Sequence, residues 1–179
     1  SLLRGFSAPV KLGSDLSADD LRHLASHDDD YFNRWEAVQL LATRELMAGV
    51  ATVQAGGIPE LDAAFIETIR LLITADNLEA AFVAEAVRLP SEALLAEEMA
   101  VVDVDAIHTS RHAARMQLGT ALGAEWRGLL AQQGALIAGR SYTFNAQDAG
   151  VRALKNVALA YLAAAGDTAL QPEIGPSAP

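Results

Sequence analysis

Two histidine pairs carry the only metal-like spacing in the chain: His108 with His112, and His23 with His27, each four residues apart. On a helix that spacing puts both rings on one face, an arrangement zinc sites use. Between His108 and His112 stand Thr109, Ser110 and Arg111, with no glutamate after the first histidine. No third ligand is apparent, and Arg111 and Arg115 would repel a cation, so this pair reads as structural or surface. His23 and His27 lie beside Asp28, Asp29 and Asp30, where a weak surface metal site competes with a plain solvated helix end. No serine sits in a G-x-S-x-G elbow, and Gly56-Gly57 lacks the lysine and hydroxyl residue of a phosphate loop. Asp15, Asp19 and Asp20 fall in a linker or first turn, where the helix dipole accounts for them. The chain has no cysteine, which excludes thiolate ligands, disulfides and a cysteine nucleophile. No catalytic constellation forms, and the expected catalytic, cofactor-binding and metal-ligating residues are none.

The elements that would position such groups read as helices. The stretch 28–51 begins with three acids, which a helix N-terminus favours. Behind them Tyr31, Trp35, Val38 and Leu41 or Ala42 recur at steps of three and four, the period of one core-facing helix face. Trp35 is therefore expected in the core, with Arg34 and Glu36 as a flanking pair. The sharper alternative has Arg34 anchoring this helix to something outside the domain.

Ser17 with Asp20 makes a capping-box-like start to a short helix ending near Ser26. The long helix runs from about Asp29 to Gln54 and stops at Gly56-Gly57, with Pro59 opening the next. There Leu61, Phe65, Ile69 and Leu72 share a face. Asp76 and Glu79 read as another helix start, with Leu78, Phe82, Ala86 and Leu89 behind them. Leu89-Pro90-Ser91 stops that helix and caps a short one over 92–99. Asp103 or Asp105 opens one long helical stretch to about Ala138, burying Ile107, Leu118, Leu122, Leu129 and Ile137. Asn145 caps a last helix that buries Val151, Leu154, Ala158, Tyr161 and Leu162 and ends at Gly166.

The expected fold is all-α: about seven helices as antiparallel hairpins in a superhelical, solenoid-like array. Residues 1–12 read as an extended strand, since Pro9 forbids a helix through them. Residues 13–167 form the helical domain. Residues 168–179, with three prolines, form a tail.

The net charge is −10 with pI ≈ 4.7, and it is uneven. Residues 1–100 hold 17 acids against 7 bases, whereas residues 101–179 hold 6 of each. No basic stripe exists for nucleic acid. The acidic half reads as a solvated surface, or as a wall that draws in cationic ligands. The longest apolar run, 157–165, is too short to span a bilayer, and the opening residues lack the pattern of a secretory signal. Cytoplasmic location is the expectation. Ser1 in place of an initiator methionine reads as a piece of a longer chain.

Several strings together resemble a family. F-S-A-P-V-K-L (6–12), F-N-R-W-E-A (32–37) with Gln39 and Leu40-Leu41-Ala42, L-P-S (89–91), V-V-D-V-D-A-I (101–107), and Leu154, Asn156 and Leu162 are similar in order and spacing to bacterial aminopeptidase N. That family comprises zinc-dependent gluzincin metallopeptidases. The resemblance implies that residues 1–12 are the last strand of a small β-sandwich, and that residues 13–167 are the first part of a C-terminal helical domain. No histidine here is followed by glutamate, and no methionine by Glu-Asn. The family's H-E-x-x-H and G-x-M-E-N motifs are therefore absent from this chain, which should not hydrolyse peptides by itself. Zinc belongs to the parent enzyme.

What the resemblance further implies is a fragment that helps cover the active-site cavity and limits peptide access. Its partners would be the catalytic domain of the same parent chain and peptides in the cavity, with no nucleic acid or membrane. An unpaired strand also raises self-pairing through residues 2–8. The rival reading is a free-standing helical scaffold or adaptor that binds a protein partner in a groove.

Overall fold

Side chains that cap helix starts divide this chain into its elements. The computed structural model describes residues 16–137 and 145–167, and these hold eight helices. Ser17 caps α1 (Ala18–His27) in a full capping box with Asp20. Asp30 caps α2 (Tyr31–Gln54) by accepting from the Phe32 amide, and Asp62 caps α3 (Ala63–Thr74) through the Ala64 amide. Helix α4 (Ala80–Ala86) starts after Glu79 without a side-chain cap. Ser91 caps α5 (Glu92–Glu97), Asp103 caps α6 (Val104–Ala121), and Asn145 caps α8 (Ala146–Ala164). Each cap satisfies amides that the first helical turn leaves without partners.

The observed boundaries depart from the sequence expectation at three places. The single stretch expected from Asp103 to Ala138 is two helices, α6 and α7 (Gly123–Ile137), broken at Leu122 (φ −111°, ψ 21°). Pro59 does not open α3. It lies buried in the connection, where its carbonyl accepts from Gln117 Nε2 at 2.8 Å, while Gln117 Oε1 accepts from the Leu61 amide at 2.8 Å. One side chain of α6 thereby ties down the whole α2–α3 crossing. Asp76 caps nothing; its helix starts at Ala80. The expected strand over 1–12, the self-pairing segment 2–8 and the tail 168–179 lie outside the described residues.

Helices α2, α6 and α8 form the middle of the molecule. Helix α2 packs on α1 and α6, α6 packs on α8, and α8 packs also on α4 and α7. Helix α3 lies against α1 and α7. The core is one continuous cluster from Leu21 and Ala25 of α1, through Val38, Leu41 and Leu46 of α2 and Phe65 and Ile69 of α3, to Leu118, Leu122, Leu154 and Leu162. Its largest fully buried side chain is Trp126 of α7, which stacks on Tyr161 of α8 at 4.7 Å and 11° between planes. The Trp126 indole donates to the Leu118 carbonyl at 3.1 Å, so its polar end is satisfied inside the core.

Two glycines set how closely α8 approaches its neighbours. A Cβ on Gly119 of α6 would collide with the Tyr161 carbonyl oxygen, and one on Gly150 of α8 would meet Ala81 at 2.9 Å. Small side chains thus let α6, α8 and α4 come together nearly backbone to backbone, as a chain rich in alanine and poor in aromatics allows.

Candidate interface at the α2 entry

The local sequence around residue 30 fixes the entry of α2 before any tertiary contact. Asp28 Oδ1 accepts from the Asp30 amide at 2.7 Å, and Asp30 Oδ1 accepts from the Phe32 amide at 2.8 Å. Asn33 Nδ2 donates to Asp28 Oδ2 at 3.3 Å. The acids here are occupied with backbone and amide donors of the turn.

From that start the string F-N-R-W-E-A is dealt to two sides. Ala37 faces the core, and Arg34 is buried, donating its Nε to the Ala25 carbonyl of α1 at 3.0 Å. The Arg34 guanidinium lies 5.8 Å from the centroid of the Phe82 ring, and Tyr31 stacks on the same ring at 4.7 Å. Among the described residues a carbonyl and an aromatic face thus partner this buried guanidinium, without a carboxylate. Phe32 is 63% exposed and Trp35 37% exposed, their rings 6.0 Å apart. Gln39, one turn on, donates Nε2 to the Ala86 and Arg88 carbonyls at 3.2 and 3.0 Å and fastens α2 to the end of α4.

Both sequence readings of this string are corrected. Trp35 is not in the core; Arg34 holds that side of the helix instead. Nor does Arg34 reach outside the domain, because its Nε bond is to α1 of the same domain. Tyr31, expected inward, is 41% exposed and only half sheltered by Phe82. What this entry offers to the outside is two neighbouring aromatic side chains on a rigid, capped helix. Neither side chain is a nucleophile, an acid or a base.

The histidine pairs fall elsewhere and apart from each other. His23 and His27 stack at 4.8 Å on α1, and His27 Nδ1 lies 3.3 Å from the His23 carbonyl. His108 and His112 are near-parallel at 6.2 Å, with His108 Nδ1 3.0 Å from Glu92 Oε1 on the surface. Among the described residues no group of three or more histidine, cysteine or acidic side chains could hold a metal ion.

The carboxylates with displaced pKa values are structural. Asp20 is held below the usual carboxylate range by the Ser17 hydroxyl and amide. Asp103 is lowered by the Ala106 amide and then by Gln54, whose Nε2 donates to it at 3.1 Å. Burial pushes the Tyr161 phenol well up, against the opposing pull of Arg115 and Arg111. Its hydroxyl donates to the Val87 carbonyl at 2.6 Å.

Comparison with known proteins converges on one group. A family model described as "Domain of unknown function (DUF3458_C) ARM repeats" matches residues 18–175. The chain is 36% identical over 165 residues to aminopeptidase N of Caulobacter vibrioides, covering 92% of this chain and 18% of that protein. It is 34% identical over 163 residues to aminopeptidase N of Escherichia coli K12, again over 18% of that protein's length. Among solved structures it resembles Legionella pneumophila aminopeptidase A, crystallised with aspartic acid, with a TM-score of 0.77, 26% identity, and coverage of 94% of this chain and 20% of that one. The chain thus spans about a fifth of the length of the relatives it matches.

Proposed function

This chain belongs to the DUF3458_C family of ARM-repeat helical domains, and from that premise we propose that it is the non-catalytic helical part of a zinc-dependent aminopeptidase. The observation that carries this reading is the extent of the match: 92% of the chain aligns within 18% of an aminopeptidase N. In such a parent, zinc and the hydrolytic groups sit in another domain, and the helical part covers the cavity and limits access to small peptides. The acidic excess of residues 1–100 adds an attraction for cationic peptide N-termini. The parent works in the cytoplasm; among the described residues no helix is long and apolar enough to cross a membrane.

Phe32 and Trp35 supply the contact with the catalytic domain of the same parent chain. They are adjacent, aromatic and exposed on a helix whose own position is fixed by Arg34 and Gln39. The rival, a free-standing scaffold with a protein partner, would use the same face for a different occupant.

The test is an assay of the 179-residue protein on an aminoacyl-arylamide with added zinc. No turnover above background is expected, and zinc-dependent hydrolysis would overturn the non-catalytic reading. The docking arm mixes this protein with the remainder of a parent enzyme and measures association. Phe32→Ser with Trp35→Ser should abolish it, and undiminished association would remove this face from the interface.

A further inference from the structure

Arginines gather where the rest of this acidic chain gives no reason for them. Arg111 and Arg115 stand on successive turns of α6, facing Asn156, Val157, Ala160 and Tyr161 of α8. With Arg88, from the end of α4, they line a cleft of ≈ 250 Å³. No lining residue among those described is acidic. The chain carries net charge −10, yet three of its 13 basic side chains are collected around this one opening.

Each arginine has a distinct status. Arg111 Nε donates to the Pro90 carbonyl at 2.8 Å, which fixes that guanidinium, and among the described residues it makes no ion pair. Arg88 has only a solvent-exposed pair with Glu85 at 3.2 Å, the kind that water screens almost completely. Arg115 makes no ion pair among the described residues, and both it and Arg111 are close enough to bear on the buried Tyr161 hydroxyl. Three guanidinia around one small opening repel one another, and an anion seated between them relieves that repulsion. The planar donor fork of arginine matches the two oxygens of a carboxylate or a phosphate, and the Asn156 amide adds a neutral donor at the rim.

We propose that this α6–α8 cleft is a binding site for a small oxyanion carrying two negative charges, held by Arg88, Arg111 and Arg115. Its volume suits a phosphate group or a short dicarboxylate, and Leu89, Val157, Ala160 and Tyr161 complete its lining. The site stands independently of the aminopeptidase reading, since it uses no residue of the α2 entry.

The experiment titrates the full chain with inorganic phosphate and, separately, with succinate, against sodium chloride at matched ionic strength, by calorimetry. Saturable binding of phosphate alone identifies a phosphate-bearing ligand, and of succinate alone a dicarboxylate; binding of both leaves the shared oxyanion chemistry. Arg115→Gln should weaken that binding about tenfold while the urea midpoint stays in place, because Arg115 holds no other group. Arg88→Gln, exposed and distant in sequence, gives a second variant with the same direction, and Arg22→Gln on α1 should leave binding unchanged. No saturable binding beyond chloride, or wild-type affinity in both Arg115→Gln and Arg88→Gln, overturns the proposal.

Discussion

The two tryptophans of this chain occupy opposite situations. Trp126 on α7 is completely enclosed, stacked on Tyr161 and hydrogen-bonded to Leu118. Trp35 on α2 stands 37% exposed beside a still more exposed Phe32. One indole therefore holds helices together, and the other stands partly open to solvent. The difference separates what keeps this domain folded from what it can offer to a neighbour.

The largest expected effect comes from breaking the first side. Trp126→Ala should cost about 3–5 kcal/mol, the usual range for emptying an aromatic core position, read as the shift in urea unfolding followed by circular dichroism. A loss under about 1 kcal/mol would mean that the α6–α7–α8 seam does not depend on it. Next is the seam's spacing. Gly119→Ala must push α6 off the Tyr161 carbonyl, and overpacking of this kind costs about 1–3 kcal/mol. A neutral result would show that the two helices separate freely.

Smaller effects sharpen the other side. Trp35→Ala should change stability by less than about 1 kcal/mol. Acrylamide should quench wild-type fluorescence in two classes, and Trp35→Phe should leave only the protected, blue-shifted class from Trp126. A single quenching class in the wild type would contradict the contrast. The smallest effect is acid sensitivity at the caps. The native pKa values of Asp20 and Asp103 are lowered, so their contribution is complete above the unfolded-state value. It is lost as pH falls through the native one. Asp103→Asn should flatten the stability–pH curve below about pH 4 and leave its neutral-pH plateau shape unchanged. A curve identical to wild type would show that the Ala106 and Gln54 bonds do not persist in solution.

The same contrast explains what could be read from the sequence. Caps are local chemistry, a short polar side chain immediately before a helical run that accepts from an amide two or three residues on. Ser17, Ser91, Asp103 and Asn145 were all legible for that reason. The first turns of α2 were not. Of the expected stripe Tyr31, Trp35, Val38 and Leu41 or Ala42, the later members are buried, whereas Tyr31 and Trp35 are exposed and Arg34 takes the inward place. The apolar side chain looked like the inward one, whereas a carbonyl at Ala25 and the ring of Phe82 make Arg34 the better inward residue.

Trp126 is in phase with Leu118, Leu122 and Leu129, so its burial had a signal in the sequence. The break at Leu122 has no proline, and only the glycines at 119 and 123 marked it. The aromatic entry of α2 carried a family signature in sequence; its outward display follows from contacts with the neighbouring α1 and with α4, which lies far along the chain. The arginine cleft was invisible for a related reason. Arg88 lies more than twenty residues before Arg111 and Arg115, and only the packing of α8 brings a wall to face them.

The position of α8 has a consequence for how the protein is made. The seats that receive it, at Ala81 of α4 and Gly119 of α6, are synthesised before α8 itself. Until residues near Leu162 leave the ribosome, the faces of Leu118, Leu122 and Val83 stay open to solvent. Helices α1 and α2 can pair early, but the C-terminal seam must wait. A ribosome-stalled chain ending before α8 should be the form that chaperones hold and proteases cut, and release of some twenty further residues should convert it at once to a resistant one.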